Sequence, residues 1–319
     1  MKTSHVSMNV AGIDIGKAKL DVGLDKDEER LEASNDAAGF AQIIAFLKRK
    51  QVTLVGVEAT GSYGLDLIQA LRKAGFTVTQ HQPAQIKLYR KMQLKRAKTD
   101  IIDAVLIARF TALSEQKPEF CDARLAQFAE KLLFLEQARD DAIRLQGRLD
   151  RYRDTALIAT IKADIASFKA RARQELAALK KQVRAYPDLN RAFELLLSIP
   201  GIGDYSAIVL IIRLPELAHL EPAQIASLVG VAPFNNDSAT MRGSRSIAGG
   251  RKSIRNALYV PTLAAATQWN PDLKILYDRL KAKGKETKVA VIAAMRKLLI
   301  IARAVLIRGS KWTPKLQAD

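Results

Sequence analysis

The sequence predicts an α/β domain at its N-terminal end, a long helical coiled-coil connector, and a mainly α C-terminal domain. Three observations carry this. Over roughly the first hundred residues, short alternating apolar runs and helical periodicity succeed one another as βββαβα. From about Ala126 to Ala185, Gly and Pro nearly vanish while Leu, Ala and charged residues repeat, and beyond that stretch helical periodicity dominates to the end.

The elements follow in order. NVAGIDIG and KAKLDVGLD, between Asn9 and Asp25, are two alternating runs split by Gly16 and Lys17, the pattern of a β-hairpin. A third short strand lies near Arg30 to Ser34. The helical stretch AAGFAQIIAFLKRK, the strand TLVGVEA, the helix YGLDLIQALRKAG closed by Gly75, and the strand TVTQHQP come next. This order predicts a mixed sheet, its first three strands antiparallel and later ones added by crossovers. After Asp100, IIDAVLIARFTAL is apolar at helical spacing. The Gly-poor stretch predicts two long antiparallel helices, which either cover the sheet or reach a partner.

At Tyr186, Pro187 and Asp188 the register breaks, and the helix RAFELLLSIP, the turn SIPGIG and the helix DYSAIVLIIRL follow. Two helices joined by a Gly-containing hairpin expose backbone N–H groups at the start of the second, as helix-hairpin-helix modules do when they hold a DNA phosphate. Gly201 and Gly203 are the candidate contacts; an ordinary αα corner has the same pattern. A Gly- and Arg-rich loop is expected between Asn235 and Arg251.

Charge narrows the function. Lys and Arg number 51 against 33 Asp and Glu, a formal net charge of +18. That excess favours a polyanionic partner, nucleic acid ahead of an anionic membrane. The most apolar late stretch, Val289 to Ile307, is broken by Arg296, Lys297 and Arg303, which a spanning helix would bury at high cost. The start, MKTSHVSMNVAGIDIG, has no sustained apolar run, so a cytoplasmic protein is expected, associated with the nucleoid when acting. Cys121 is the single cysteine, which excludes an internal disulfide and a multi-cysteine zinc site. His5, His81 and His219 lie far apart in sequence, so carboxylates must hold any metal.

Four acids qualify. Asp14 stands inside the first strand among apolar neighbours, a costly place for an unpaired charge. Glu58 stands where the fourth strand stops. Asp100 and Asp103, three apart at a helix start with Thr99 as a cap, share one helical face. Each alone reads equally as a cap or a surface charge. Together, in a βββαβα sheet where strands one and four are neighbours, they meet at one place, and hard oxygen ligands so gathered suit one or two Mg²⁺ or Mn²⁺ ions. Two such ions about 4 Å apart clamp the attacking and leaving oxygens of a phosphodiester. Lys87, Arg90, Lys91, Lys95, Arg96 and Lys98, with Tyr89 among them, run into Asp100 and either neutralise phosphates or form a solvated face.

Ser238 follows Asn235, Asn236 and Asp237, and Arg242, Arg245, Arg251, Lys252 and Arg255 come after it with no acid between. A serine among guanidinium groups fits a nucleophile that attacks a phosphodiester, because arginines hold phosphate bidentately and stabilise transition-state charge. A turn serine bonding its own backbone is the plainer alternative.

GIDIGKAKLDV, EATGSYG, KTDIIDA, SIPGIG, GVAPFNNDS and RGSRSIAGGRKSIRNALY, in this order and spacing, resemble the DEDD transposases of insertion-sequence family 110, including its 1111 subgroup and the Piv-type DNA invertases. The similarity extends over nearly the whole chain. It implies a RuvC-like domain of RNase H fold over residues 1–117, a coiled-coil connector over 118–188, and a C-terminal transposase domain over 189–319. It further implies that Asp14, Glu58, Asp100 and Asp103 form the acidic tetrad and that Ser238 becomes covalently linked to DNA. In that family a structured bridge RNA pairs with donor and target DNA, and the enzymes act as homo-oligomers up to tetramers that join the acidic site of one protomer to the serine of another. Cleavage, exchange and religation would pass through a Holliday-junction-like intermediate. The chain departs from the pattern at Ala239, where a glycine usually follows the serine, which narrows the backbone freedom there.

Two other readings remain open on the residues alone. A metal-dependent junction resolvase or nuclease would use the acids with water as nucleophile and leave free DNA ends. A non-catalytic nucleic-acid-binding scaffold would use the carboxylates only as caps and show no metal-dependent cleavage.

Overall fold

The structure is a computed structural model and describes residues 9–58, 61–93, 100–114, 122–234, 237–238, 241–242 and 246–314. The chain divides into two compact units, Met1–Ala123 and Arg124–Asp319.

The first unit is built on a five-stranded mixed sheet. Strands β1 (Asn9–Ile15), β2 (Lys19–Leu24), β3 (Leu31–Ser34), β4 (Val52–Glu58) and β5 (Thr77–His81) are arranged in the order β3-β2-β1-β4-β5. The first three pair antiparallel, and β4 and β5 join parallel to β1, as the order of elements predicts. Helix α1 (Ala37–Arg49) makes the first crossover; its N-cap Asp36 accepts from the Gly39 N–H at 2.9 Å. A short 3₁₀ turn, Gly61–Gly64, leads into α2 (Leu65–Lys73). After β5 come α3 (Pro83–Met92), with proline where its missing N–H costs nothing, and α4 (Asp100–Leu113).

Side chains alternate across a strand, so the sheet has two unlike faces. Ala11, Ile13, Ile15, Leu20, Val22, Val55, Val57 and Val78 point to one side and share a core with Ile43 and Leu47 of α1 and Leu67 and Leu71 of α2. On the other side a row of glycines crosses three neighbouring strands, Gly23 beside Gly12 and Gly12 beside Gly56. Helix α4 lies directly on this row. A Cβ on Gly12 would stand 2.1 Å from the Ala104 carbonyl oxygen, and one on Gly23 would stand 2.8 Å from Val105 Cγ2. Only glycine lets the helix backbone approach the sheet this closely.

Among its described residues the second unit is mainly helical, with two short strand pairs. The two long helices are α5 (Ala123–Gln146) and α6 (Thr155–Arg184), the latter capped by Asp154, whose carboxylate accepts from the Ala156 and Leu157 N–H groups. On α6, Ile165, Ala172 and Leu179 are buried at seven-residue spacing, the period of a coiled-coil seam. Leu132, Leu135, Leu179 and Val183 of these helices share one core with Phe193 of α7 (Pro187–Leu197), Ile208 of α8 (Asp204–Arg213), Ile225 of α9 (Pro222–Val229), Leu258 of α10 (Lys252–Ala264), Leu273 of α11 (Pro271–Ala282) and Leu298 of α12 (Thr287–Arg308). A π-helical turn, Ala265–Trp269, follows α10. No helix among the described residues is long and apolar enough to cross a membrane.

The segment expected as a Gly- and Arg-rich loop between Asn235 and Arg251 carries short paired strands among its described residues. Strand β6 (Pro233–Phe234) pairs antiparallel with β9 (Ser246–Ile247), and β7 (Asp237–Ser238) with β8 (Met241–Arg242). Backbone pairing satisfies groups that a Gly- and Arg-rich composition, read alone, leaves to water.

Candidate functional site

The register of the first unit aligns one titratable residue from every strand. Asp21 pairs with Glu32 across β2 and β3, and Asp14 pairs with Asp21 across β1 and β2. The parallel β1–β4 register, which sets Gly12 beside Gly56 and Ile13 beside Val57, puts Asp14 beside Glu58 on its next rung, and Glu58 pairs with His81 of β5. The row therefore reads Glu32, Asp21, Asp14, Glu58, His81. Asp14 and Glu58 lie two residues beyond Gly12 and Gly56, hence on the face that carries α4. Asp21 lies two residues before Gly23, as the reversed direction of β2 requires.

The flank of the row at β2 and β3 is charge-balanced. Lys19 Nζ stands 2.8 Å from Glu32 and 3.2 Å from Asp21, which is buried. Those two carboxylates, Glu32 first, push the Lys19 ammonium up to about 12, so it stays charged.

At the β5 end, His81 is buried and its Nε2 lies 2.8 Å from Thr111 Oγ1 on α4. Burial pushes the imidazole below its ordinary range, because desolvation disfavours the cation. The Thr111 hydroxyl donates to the Ile107 carbonyl at 2.7 Å, so its oxygen accepts from His81, and the proton of the neutral ring sits on Nε2. Phe110 meets the same ring edge-on at a centroid distance of 4.8 Å.

Asp103, one residue before the Ala104 that rests on Gly12, is 8% exposed. Its carboxylate is ion-paired with Arg90 of α3, and neither Arg90 Nε nor Asp103 Oδ1 makes a well-directed hydrogen bond. Asp100 is the first residue of α4; its side chain, and Thr99, lie outside the described residues. Asp14 and Glu58 are half-buried and already engaged in polar or charged contacts. Among the described residues no group of three or more His, Cys, Asp or Glu side chains is gathered closely enough to hold a metal. Lys87 and Lys91 on α3 are exposed, while Lys95, Arg96 and Lys98 lie outside the described residues.

In the second unit Ser238 pairs with Met241, and Asp237 with Arg242. Cations at the start of α10 clamp the backbone that flanks the β6–β9 pair. Arg255 Nη1 donates to the Val229 carbonyl at 2.7 Å and the Gly249 carbonyl at 2.6 Å. The Arg251 guanidinium donates to the Arg213 carbonyl at 2.6 Å and pairs with Glu216 at 2.6 Å. Gly230 and Gly250, at φ of 75° and 66°, touch backbone to backbone, where a Cβ on Gly250 would stand 2.4 Å from the Gly230 nitrogen. Lys252 is exposed at the first turn of α10. The side chains of Ser238 and Arg242 and the whole of Arg245 and Ala239 lie outside the described residues.

The SIPGIG turn joins α7 to α8. Gly201, at φ 104°, packs toward Ala265, and Asn270 Nδ2 donates to the Pro200 carbonyl at 3.0 Å. Gly203 is the exposed N-cap of α8, but Asp204 beside it pairs with Lys180 at 2.7 Å.

Sequence reasoning singled out Asp14, Glu58 and Asp103 but not Asp21, Glu32, Thr111 or the place of His81 in the row. A signal was present: Gly12-x-Asp14 and Gly56-x-Glu58 on the parallel strands, and Asp21-x-Gly23 reversed on the antiparallel one.

Comparison with known proteins gives two successive family matches. A transposase model of the IS110 DEDD type matches residues 11–162, and a model described as transposase IS116/IS110/IS902 family matches residues 193–278. The pilin gene-inverting protein of Moraxella bovis is 27% identical over 314 residues, covering 94% of this chain and 96% of its own. The pilin gene-inverting protein of Moraxella lacunata is likewise 27% identical, over the same shares of both chains. The insertion element IS110 uncharacterized 43.6 kDa protein of Streptomyces coelicolor is 26% identical over 171 residues, which cover 51% of this chain and 41% of that protein.

Proposed function

The chain belongs to the IS110 family of DEDD transposases, and from that premise we propose that it is a DNA recombinase that cleaves, exchanges and rejoins strands with a carboxylate metal site and a serine nucleophile. In this reading the first unit is an RNase H-like, RuvC-like domain and the tetrad is Asp14, Glu58, Asp100 and Asp103. The observation that carries it is the β1–β4 register, Gly12 beside Gly56 under α4 and Ile13 beside Val57, whose continuation sets Asp14 next to Glu58.

The donor set fits a hard divalent ion. Asp14, Glu58 and Asp103 are hard oxygen donors, and Asp103 Oδ1 would exchange or share its present partner, the Arg90 guanidinium, to take up an ion. Mg²⁺ or Mn²⁺ held there would supply Lewis acidity at the scissile phosphate. The chain's own residues do the rest. Ser238 Oγ attacks phosphorus; the new O–P bond replaces the bond to a deoxyribose oxygen, which leaves with the serine's proton. The phosphoester is conserved in the adduct, so a second strand's hydroxyl rejoins it by the reverse step. Arg242, Arg245 and Lys252 steady the phosphate. Arg251 and Arg255 brace the hairpin while offering their remaining N–H groups.

Lys87, Arg90, Lys91, Lys95, Arg96 and Lys98, with the N–H groups near Gly201 and Gly203, line the path of the nucleic acid in this reading. A bridge RNA supplies target choice by base pairing, and a homo-oligomer of two to four protomers brings serine and acids together. Donor and target DNA are the substrates. The test is to sequence RNA that copurifies, add it back, and measure DNA cleavage in Mg²⁺ or Mn²⁺. Cleavage is expected to need the divalent ion and to fall about a hundredfold or more in Asp14→Asn and Glu58→Gln; full activity of both variants overturns the proposal.

A further inference from the structure

We infer that His81 is a positioning residue that acts through Thr111 to fix the separation between Glu58 on the sheet and Asp103 on α4. The inference rests on the reading of Glu58 and Asp103 as members of one cation site.

Helix α4 rests on Gly23, Gly12 and Gly56, and a row of glycines offers no side chain against which the helix can key its position along its own axis. Thr111 supplies that key. Its Oγ1 occupies the space where a Gly56 Cβ would be, 1.8 Å from the ideal Cβ position, so the hydroxyl is seated in the sheet itself. There it spends its proton on the Ile107 carbonyl of its own helix and accepts the Nε2 proton of His81 at 2.8 Å. His81 shares a rung with Glu58, so the pinned point on α4 is tied to the strand pair that carries the metal-binding carboxylate. An α-helix is stiff over two turns, and Asp103 lies eight residues before Thr111 on the same helix. Fixing Thr111 therefore fixes where Asp103 stands relative to Glu58. Phe110 holds the imidazole edge-on, and Tyr89 of α3 packs on Phe110 at 5.3 Å between ring centroids, so the ring that braces His81 is itself braced from α3. Ligand spacing set by hydrogen-bonded neighbours of this kind decides metal affinity more than fold stability.

The experiment is a Mn²⁺ titration of the full chain, with free Mn²⁺ read by electron paramagnetic resonance and thermal unfolding followed on the same samples. Thr111→Val keeps shape and loses the hydroxyl; His81→Leu loses the donor. Both are expected to weaken Mn²⁺ binding by about tenfold or more. Thr111→Ser and His81→Gln keep an oxygen or an N–H near the same points and are expected to bind close to wild type. Ile43→Val, in the core of the opposite sheet face, is expected to lower the unfolding midpoint without moving Mn²⁺ affinity, which separates positioning from general loosening. If His81→Leu does not fold, Thr111→Val with its Thr111→Ser rescue decides. Wild-type Mn²⁺ affinity in Thr111→Val, while Asp14→Asn and Glu58→Gln lose binding, overturns the pin alone. Wild-type affinity in Asp14→Asn and Glu58→Gln removes the cation site and the pin with it.

Discussion

Arg90, in the last turn of α3, sets its guanidinium against the carboxylate of Asp103, in the first turns of α4. The pair is largely buried, with side-chain exposures of 22% and 11%, so each charge depends on the other. Asp103 can serve a cation only by exchanging this partner or sharing it.

We predict that Arg90→Gln destabilises the metal-free protein by about 3 kcal/mol, the usual cost of leaving one buried charge alone. Mn²⁺ should then raise the unfolding midpoint of the variant more than that of the wild type, because the ion replaces the lost counter-charge. Equal Mn²⁺ shifts in the two proteins would show that Asp103 is not a ligand.

The glycine row makes a graded prediction. Gly56→Ala forces a Cβ against the Thr111 hydroxyl and should cost about 1–3 kcal/mol in chemical denaturation. Gly12→Ala meets backbone atoms of Ala104 and Ala108 at 2.1 and 2.3 Å, which cannot rotate aside, and should cost more. Gly147→Ala, whose Cβ would meet only ordinary contacts at 3.6 Å and 3.8 Å, should stay within about 0.5 kcal/mol of wild type. The reverse ranking would contradict the close seating of α4.

Burial lowers the His81 pKa, so the unfolded chain takes up a proton near pH 6.5 before the folded one does. The stability held by the neutral ring is complete above that value and is lost as the pH falls toward the folded-state pKa. Between pH 7.5 and 5.5 the unfolding midpoint of the wild type should drop more than that of His81→Gln. Parallel profiles for the two proteins would count against a desolvated imidazole.

Arg255→Ala removes the donor shared by the Val229 and Gly249 carbonyls at the hairpin base. Charged hydrogen bonds of this type contribute roughly 1.5–3 kcal/mol. Limited proteolysis should cut the variant faster between residues 235 and 250, while Mn²⁺ affinity in the first unit stays unchanged. Equal cleavage rates would leave the clamp without a role.

Much of this was legible in the sequence because alternation and helical period are local. Asp14 and Glu58 stood out as acids in apolar strands, and Gly16 with Lys17 marked the first hairpin. Cross-strand register is not local: Asp21, Glu32 and His81 join Asp14 and Glu58 in one row only once the strands pair. The partners of a charge run are hidden for a related reason. Arg90, Arg251 and Arg255 read as cations available to phosphate, and in the folded chain Arg90 also meets a carboxylate, Arg255 backbone carbonyls, and Arg251 one of each. A guanidinium aimed at a protein oxygen looks the same in sequence as one aimed at DNA. The glycines at positions 12, 23 and 56 stand in runs legible as strands, but nothing local marks them as the seat of α4, since what fills the missing Cβ comes from a segment far along the chain.

The central claim joins a serine ester to a carboxylate metal site, and the covalent protein–DNA adduct reports both. DNA carrying a labelled strand, the copurifying RNA and Mn²⁺ are incubated with the protein, the adduct is isolated under denaturing conditions, and its nucleotide-bearing peptide is sequenced by mass spectrometry. The account predicts that the label sits on Ser238, disappears in Ser238→Ala, and fails to form in Asp14→Asn. An adduct on another residue, or one that forms undiminished in Ser238→Ala, would contradict it.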